Sequence, residues 1–339
     1  MTMPVTLQVS LAPTDLPTAR HVVPHQLRQW AAQVDEILFT VDVHRSRSSP
    51  VEPWHRQLPG LRRLIEECCA VYPNARSVDV DYRSGTITGI ETAFFGGRPV
   101  PAKDYRGAAF YAYFYGLFAA RHDHVLHTDS DMLYGGGSPN WLAEALRLLE
   151  QHPNVLACNP LPGPPTTDGK LRSQALEPFP YRSPAFQAAH LSTRVFLLNR
   201  VHLSQRLGAL QLGRPRLYNA VRALVDGNPP HRSPEAIISE AMVRRGLIRI
   251  DFLGDAPGMW AVHPPYRSER FYQRLPSLIR EIEANEVPEA QRGCHDINDS
   301  LVDWTGAQRS LAKRVGYHVR LAARRLRPPG TNSVAEVVR

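Results

Sequence analysis

The stretch His124-Val125-Leu126-His127-Thr128-Asp129-Ser130-Asp131-Met132-Leu133-Tyr134, which continues into Gly135-Gly136-Gly137, decides the fold of this chain. Its apolar-leaning first half predicts a buried strand that ends at two aspartates. Because alternate side chains of an extended backbone leave on the same face, Asp129 and Asp131 can aim their carboxylates at one point, with Ser130 facing away. Two converging carboxylates suit Mg²⁺ or Mn²⁺, ions that usually also hold substrate phosphates. The three glycines allow the backbone to bend sharply and to come close to a ligand.

The composition is that of a globular protein. Of the 339 residues, 43% are hydrophobic and 21% are charged, which is ordinary for soluble domains. The length suffices for one large core, or for one core with an appendage. No apolar run approaches the roughly 18–20 residues that span a bilayer, and the first residues do not show the basic and apolar pattern of a signal peptide.

The cysteine content indicates the redox state of the compartment, and the net charge indicates the charge of the binding partners. The four cysteines, Cys68, Cys69, Cys158 and Cys294, form no Cys-x-x-Cys pair and are too few for a disulfide framework. A reducing, cytoplasmic setting is therefore expected. The net charge of +8 predicts anionic partners, but it does not distinguish phosphorylated substrates, acidic lipid headgroups and nucleic acid.

Strands alternate with helices up to the aspartate pair. Strands are predicted at residues 5–11, 36–41 and 77–82, and helices at about 18–34, 58–71 and 105–120. This alternation predicts an α/β fold, with a mostly parallel sheet, helices on both faces and right-handed crossovers. Ligands of such sheets bind beyond the carboxyl ends of the strands. Because Asp15, Asp42, Asp129 and Asp131 all follow predicted strands, we expect them to gather on one rim.

Two common nucleotide-binding patterns are missing from the sequence. The first strand is not followed by Gly-x-Gly-x-x-Gly, and no Gly-x-x-x-x-Gly-Lys-Ser/Thr occurs. If a nucleotide binds, a metal ion must therefore hold its phosphates, which gives Asp129 and Asp131 a role. Asp42 could accept a hydrogen bond from a base, or it could be an ordinary acid at a strand end. Taken alone, Asp-x-Asp more often marks a strand end followed by an acidic turn.

The second half of the chain carries further candidates. Arg194 could be a buried phosphate partner or an ion-paired structural arginine. Glu235 follows Ser233-Pro234, a helix start at which acids are favoured whatever their function, and Glu240 lies one to two turns further on. His263 ends an apolar run, a position at which a lone histidine is more often structural than a ligand.

In their order and spacing these elements resemble the inverting glycosyltransferases of the GT-A fold, close to the large bacterial family 2. The similarity covers about residues 5–265 and rests on Asp42, Asp129-Ser130-Asp131, Glu235 and His263. It implies a GT-A domain at residues 1–265, with a Rossmann-like, mostly parallel sheet. The implied activity is hexosyltransferase-like transfer from a nucleotide-diphosphate sugar, with a UDP-sugar the expected donor.

The resemblance also implies a role for each matching residue. Asp42 would contact the nucleobase, and Asp129 would lie near the ribose and the metal. Asp131 and His263 would bind Mn²⁺ or Mg²⁺. Glu235 would be the catalytic base, but family members often carry paired acids there and this chain has Pro234-Glu235, so Glu240 stays an alternative. The further candidates for contact with the donor are Asp15, Lys103 and Arg194.

The implied reaction is a single displacement. A divalent ion stabilises charge on the leaving diphosphate, while a carboxylate on the opposite face of the sugar removes a proton from the acceptor hydroxyl, so the anomeric centre inverts. The acceptor is a glycan, a lipid-linked compound or a small molecule. Its choice is expected to lie in residues 160–189, whose Pro, Gly and Ser content predicts a lid, a binding loop or a disordered segment.

Residues 266–328 are predicted to form a helical C-terminal appendage, and residues 329–339 a flexible tail. The appendage contains helical periodicity at 271–285 and a basic amphipathic helix at about 308–327. That basic helix could lie peripherally on an anionic membrane, or it could pack on the catalytic domain with a solvated basic face.

Two readings from other classes stay open. A phosphatase of the haloacid dehalogenase type also uses Asp-x-Asp after an apolar strand, but it expects Thr or Val where this chain has Leu133, and it places the motif near its start. A non-catalytic protein that binds nucleotides or nucleic acid would use the basic C-terminal region, yet no zinc-finger spacing or RNA-binding motif supports it. No nucleic-acid partner is therefore expected.

Overall fold

The computed structural model describes residues 3–45, 51–174 and 176–307, so the predicted basic helix and tail lie outside the described residues. The strands of the described part are β1 (Val5–Leu11), β2 (Glu36–Val41), β3 (Ala75–Asp79), β4 (His124–Asp129), β5 (Leu133–Gly135), β6 (Val155–Pro162), β7 (Glu177–Pro178), β8 (Ala185–Ala188), β9 (Val195–Asn199), β10 (Ile248–Phe252) and β11 (Trp260–Val262). Its α-helices are α1 (Leu16–Trp30), α2 (Val51–Val71), α3 (Ser84–Phe95), α4 (Tyr111–Ala119), α5 (Trp141–Gln151), α6 (Arg200–Leu207), α7 (Leu217–Asp226), α8 (Pro234–Arg245) and α9 (Glu269–Glu283).

Most strands of the sheet run in one direction. The strand order is β3-β2-β1-β4-β9-β6-β10-β8-β7, and β11 joins at β6 and carries β5. Pairing is parallel from β3 to β4 and between β6 and its neighbours β10 and β11, whereas β9, β8 and β5 run antiparallel to theirs. The predicted α/β fold, with a mostly parallel sheet flanked by helices, is confirmed.

Apolar side chains on both faces of the central strands make two helix-covered layers. In β2, Ile37, Phe39 and Val41 join the core that includes buried residues of α1 and α2. Leu38, on the other face, joins the core of α3, α4 and α8. The strand is buried at every position, as expected for a parallel strand covered on both faces. No helix within the described residues is long and apolar enough to cross a membrane.

The helix before β4 is shorter than predicted, because residues 104–110 form a turn instead. The buried Asp104 carboxylate accepts hydrogen bonds from the backbone N–H groups of Arg106 and Ala108 at 2.8 and 3.0 Å. Gly107 has φ +80°, outside the helical region. These local bonds compete with the helix, which begins only at Tyr111. The sequence reading also missed α3 altogether.

The region predicted as an irregular loop at 160–189 is partly ordered into the sheet. β6 extends to Pro162, and Ala185–Ala188 pairs with β10 as β8. After residue 265, α9 packs against α1, where the Glu283 carboxylate meets both His25 and Arg28 at 2.7 Å. The boundary expected at 265 stays a prediction, but the chain beyond it contributes directly to the candidate site.

Candidate active site

The carboxyl ends of β1, β2 and β4 open into a cavity of about 330 Å³. The strand register places Ser10 beside Asp129 in β4, and the strands β1 and β2 end side by side at Leu11 and Val41. Asp15, Asp42 and Asp129 therefore line the same cavity, together with Lys103 and Arg267. Three of the four aspartates that the strand pattern predicts to gather here line this cavity, and the fourth, Asp131, pairs with Arg267. We call this space the first cavity.

Asp42 is a buried carboxylate with three partners in the first cavity. Lys103 Nζ donates to its Oδ2 at 2.6 Å. The Tyr82 hydroxyl and the backbone N–H of His44 donate to Oδ1 at 3.1 and 2.9 Å. Burial and the nearby Asp42 charge raise the pKa of Tyr82 far above its ordinary value, so this hydroxyl is a neutral donor. The cavity wall thus presents an acceptor and a cationic donor side by side.

Arg267 joins two of the predicted aspartates. Its Nη1 donates to Asp15 Oδ1 at 2.9 Å and its Nη2 to Asp131 Oδ2 at 2.8 Å. Burial alone would raise the pKa of Asp131, but Arg267, His263 and Arg194 together lower it below its usual value. For Asp15 burial dominates, and its pKa is raised although Arg267 acts in the opposite direction. Arg267 is therefore the main charge that keeps Asp131 ionised.

A second cavity of about 560 Å³ adjoins the first at Asp129, whose side chain is 43% exposed. Its walls include the segment before β9, a side chain of β10, the start of α8 and the loop around residue 295. Polar and charged residues dominate the lining, which includes Arg106, Asp129, Gln174, His190, Ser192, Thr193, Arg194, Glu235, Arg249 and His295. Asp129 is the one residue in the described part that lines both cavities.

Glu235 reaches the second cavity from the first turn of α8. Ser233 caps this helix by accepting from the backbone N–H of Ala236 at 3.3 Å. The backbone N–H and the hydroxyl of Thr193 donate to Glu235 Oε2 at 3.4 and 3.2 Å. Glu240 does not line either cavity and instead pairs with Arg232 at 2.5 Å and Arg244 at 2.8 Å. The two candidate glutamates therefore differ in position, since only Glu235 lines a cavity.

His263 follows β11 and is fixed by residues near the end of the described chain. Its backbone N–H donates to His295 and its carbonyl accepts from Ile297, at 3.0 and 2.9 Å. Its ring stacks on His295, with centroids 6.1 Å apart, and its Nδ1 lies 3.5 Å from Asp296 Oδ1. Burial, followed by His263 and Arg194, lowers the pKa of His295 to about 4, so its imidazole is neutral near pH 7.

The glycines after Asp131 allow the close pairing that positions β11. A Cβ at Gly135 would lie 2.0 Å from the Trp260 ring, and one at Gly136, where φ is +89°, would lie 2.3 Å from the carbonyl oxygen of Gly258. The sequence reading foresaw a close approach here but assigned it to a ligand. In the structure β11 is the close neighbour, and this pairing brings His263 towards the aspartates.

The predicted metal ligands do not form a ready binding site. Within the part of the chain that the structure describes, no three His, Cys, Asp or Glu side chains are placed to share a metal ion. Asp131 is instead paired with the Arg267 guanidinium, and Asp129 Oδ1 faces His127 at 3.5 Å. Arg194, the candidate phosphate partner, lies 3.8 Å from Asp296. As they are placed here, Asp129, Asp131 and His263 therefore do not converge on one metal position.

The sequence analysis did not predict three parts of the site: Tyr82, Arg267 and the segment 294–297. Tyr82 follows β3, at the same edge as the aspartates, so the strand-end rule could have found it. Arg267 lies four residues beyond His263 in a loop without periodicity. The segment 294–297 pairs with His263 through backbone bonds that leave no pattern in the side chains.

Comparisons with known proteins give distant structural likenesses. No family model and no curated protein matches the sequence. Among solved structures, the chain is similar to the mannosyltransferase PcManGT from Pyrobaculum calidifontis in complex with GDP-Man and Mn²⁺ (14% identity, 96% of this chain and 74% of that chain, TM-score 0.34). It is also similar to S. aureus TarS 1-349 in complex with UDP (11%, 95% and 82%, TM-score 0.34) and to a UDP-glucose pyrophosphorylase complexed with UDP-glucose (10%, 83% and 99%, TM-score 0.39). Likenesses this distant do not assign a family.

Proposed function

We propose that this protein is an inverting glycosyltransferase of the GT-A type that uses a nucleotide-diphosphate sugar. The observation that carries the proposal is that Asp129 lies between two cavities of different character. A transferase must hold a donor and an acceptor that meet at one reacting carbon. The first cavity would take the nucleotide and the second the acceptor, with the sugar lying at Asp129.

The Asp42–Lys103 pair supports a donor with a particular base edge. The carboxylate of such a pair can accept a hydrogen bond from an N–H group, while the ammonium group donates to an adjacent carbonyl. Uracil and guanine present a ring N–H beside a carbonyl, whereas adenine and cytosine present an exocyclic amine beside a ring nitrogen instead. A uridine donor, as the sequence resemblance implies, fits this edge, and so does a guanosine donor.

Cationic side chains of the chain would stabilise the leaving diphosphate. Arg267 has five N–H donors and gives one each to Asp15 and Asp131, so others remain for phosphate oxygens. Arg194 adds positive charge from the second cavity. Because charge builds on the diphosphate as the glycosidic bond breaks, donors already in place lower the barrier without reorganising.

Glu235 would act as the general base on the acceptor side. Its carboxylate lines the second cavity, and the hydrogen bonds from Thr193 fix one of its oxygens. It removes the acceptor hydroxyl proton as that oxygen attacks the anomeric carbon, and the bond to the diphosphate breaks on the other side. Attack opposite to the leaving group inverts the anomeric centre.

The divalent ion implied by the sequence resemblance has no part in these steps. The residues present do not converge on one metal, and Arg267 already neutralises Asp131. Dependence on Mn²⁺ or Mg²⁺ stays a prediction of the resemblance, to be set against a diphosphate site built from arginine.

A panel of nucleoside diphosphates tests the donor side of the proposal. The melting temperature should rise more with UDP or GDP than with ADP or CDP, and Asp42→Asn should remove that preference. Equal shifts with all four bases, or no shift with any, would contradict a nucleotide site at Asp42.

A further inference from the structure

Residues 214–231 form an excursion from the domain, and a backbone hydrogen bond joins the two residues that flank it. The backbone N–H of Arg232 donates to the carbonyl of Gly213 at 3.0 Å, so the excursion leaves and returns at one point. It contains α7, a ten-residue helix that ends at Gly227 in the left-handed conformation.

The apolar side of α7 faces outward. Leu217, Tyr218 and Leu224 are 82%, 77% and 67% exposed, and Val221 and Val225 are exposed beside them. At 100° per residue these five side chains form one stripe about 120° wide. The residues of α7 that are buried are Ala223 and Asp226. Helices of soluble domains turn such a stripe inward, so a contiguous exposed stripe indicates a surface that another apolar medium covers.

Exposed arginines border the stripe. Arg214 and Arg216 precede the helix and make no ion pair within the described residues, while Arg222 lies 3.6 Å from Asp226. An outward apolar stripe with a basic margin is the pattern of a helix that lies in a membrane interface. From this geometry we infer that α7 docks on an anionic lipid surface, with its apolar stripe among the acyl chains and its arginines at the headgroups.

Charge and size favour lipid over the two protein occupants. The predicted helix at 308–327 is itself basic, and a second copy of α7 would bring the same arginines together, so both contacts set like charges against each other. A stripe of five side chains on a ten-residue helix also falls short of the roughly 800 Å² per partner of a specific protein interface. An anionic lipid surface provides an apolar interior for the stripe and negative headgroups for the arginines, and it requires no minimum interface area.

The excursion lies beside the candidate site. The carbonyl of His231, at its end, accepts from the backbone N–H of Tyr105 at 2.8 Å. Residues adjacent to Tyr105 line both cavities, Lys103 the first and Arg106 the second. A backbone bond therefore ties the excursion to the segment that contributes to both cavities. The inference does not depend on the reaction proposed above.

Vesicle flotation of the full chain tests this inference, with the C-terminal basic region left intact in every variant. The wild type should float with vesicles of phosphatidylcholine and phosphatidylglycerol, and much less with phosphatidylcholine alone. Leu217→Ser combined with Leu224→Ser should weaken binding at least about tenfold, because two exposed leucines lose their burial in lipid. Val71→Ser, which changes an equally exposed valine at the far end of α2, should leave binding unchanged.

A second measurement locates the contact itself. Tyr218→Trp should gain fluorescence quenching by brominated phosphatidylglycerol vesicles relative to the wild type, and Val71→Trp should not. Unchanged flotation of the leucine variant, or equal quenching in the two tryptophan variants, would overturn the inference. Self-association that the leucine variant abolishes, without vesicle binding, would overturn it in favour of a second copy.

Discussion

Arg267 donates from Nη2 to Oδ2 of Asp131 at 2.8 Å, across 136 positions of the sequence. The second aspartate of the Asp-x-Asp pair thus has a guanidinium where the sequence resemblance leads one to expect a metal ion. The same guanidinium holds Asp15 at 2.9 Å. A side chain of the protein itself therefore offsets part of the negative charge of these aspartates, and this bears on what nucleotide binding should require.

Replacing Arg267 should weaken nucleotide binding in the absence of metal. We expect UDP to stabilise the wild type in EDTA, and Arg267→Gln to bind UDP roughly 10- to 100-fold more weakly, since a charged hydrogen-bond donor to phosphate is lost. Arg270→Gln is the matched control, because Arg270 pairs with Asp303 on the surface nearby. Isothermal titration with and without Mn²⁺ measures both. If UDP binds the wild type only when Mn²⁺ is present, the arginine site is contradicted, and Asp129, Asp131 and His263 are again the expected metal ligands.

Replacing Glu235 should lower turnover, whereas replacing Glu240 should not. Glu235→Gln keeps the size of the side chain but removes the base, so turnover should fall by about 10²–10⁴-fold while UDP affinity is kept. Glu240→Gln breaks only half-exposed ion pairs with Arg232 and Arg244 and should retain turnover. Steady-state rates and UDP titrations on both variants measure this. The reverse pattern would assign the base to Glu240.

Removing only one member of the Asp42–Lys103 pair should lower the free energy of unfolding more than removing both. Lys103→Met leaves the buried Asp42 charge without its cation and should lower the free energy of unfolding by about 3 kcal/mol. Asp42→Asn together with Lys103→Met removes both charges and should lose less than Lys103→Met alone. Urea unfolding of the two single variants and the double variant gives the coupling between the two residues. Additive losses would mean that the pair is not coupled in the folded protein.

His25 should make stability depend on pH. Tyr134 N–H donates to its Nε2 at 2.9 Å, so the folded protein holds the neutral ring, and burial lowers the pKa of His25 below 6.5 although Glu283 opposes this. The unfolded chain therefore binds the proton first as pH falls. The contribution is fully present above about pH 6.5 and is lost below it, by up to about 1.4 kcal/mol per pH unit.

Urea unfolding from about pH 7.5 down to about pH 5 measures this dependence. His25→Gln should flatten the fall in stability, whereas His55→Gln, which changes an exposed histidine, should not. Parallel slopes for wild type and His25→Gln would show that His25 does not titrate differently in the folded and unfolded states.

The parts of the fold that were predictable are those that local pattern determines. β1, β2 and β4 are largely apolar runs that end at an acid or within four residues of one, and their parallel pairing places those acids on one edge. The start of α4 was wrong because Asp104 bonds to the backbone of a turn, a contact that helical periodicity does not reveal. Local chemistry overrode a strong aromatic pattern there.

The parts of the site that were not predictable depend on chain closure over long distances. The Arg267–Asp131 ion pair spans 136 positions of the sequence, and the segment at 294–297 meets His263 through backbone bonds, a ring stack and the Asp296 carboxylate. Contacts between residues so far apart leave no periodic pattern or fixed spacing in a single sequence, so they could not be predicted from it. The pairing of β5 with β11, which Gly135 and Gly136 permit, brings these distant parts of the chain together.

Release of free nucleoside diphosphate shows directly whether the chain transfers a sugar from a nucleotide-diphosphate donor. The protein is incubated with UDP- and GDP-sugars and a pool of sugars, sugar phosphates and polyols as acceptors. Our account predicts release of UDP or GDP that increases with the acceptor pool and falls by about 10²–10⁴-fold in Glu235→Gln. Release of inorganic phosphate without nucleoside diphosphate would instead indicate a phosphatase, and nucleotide binding without release of any product would indicate a binding protein.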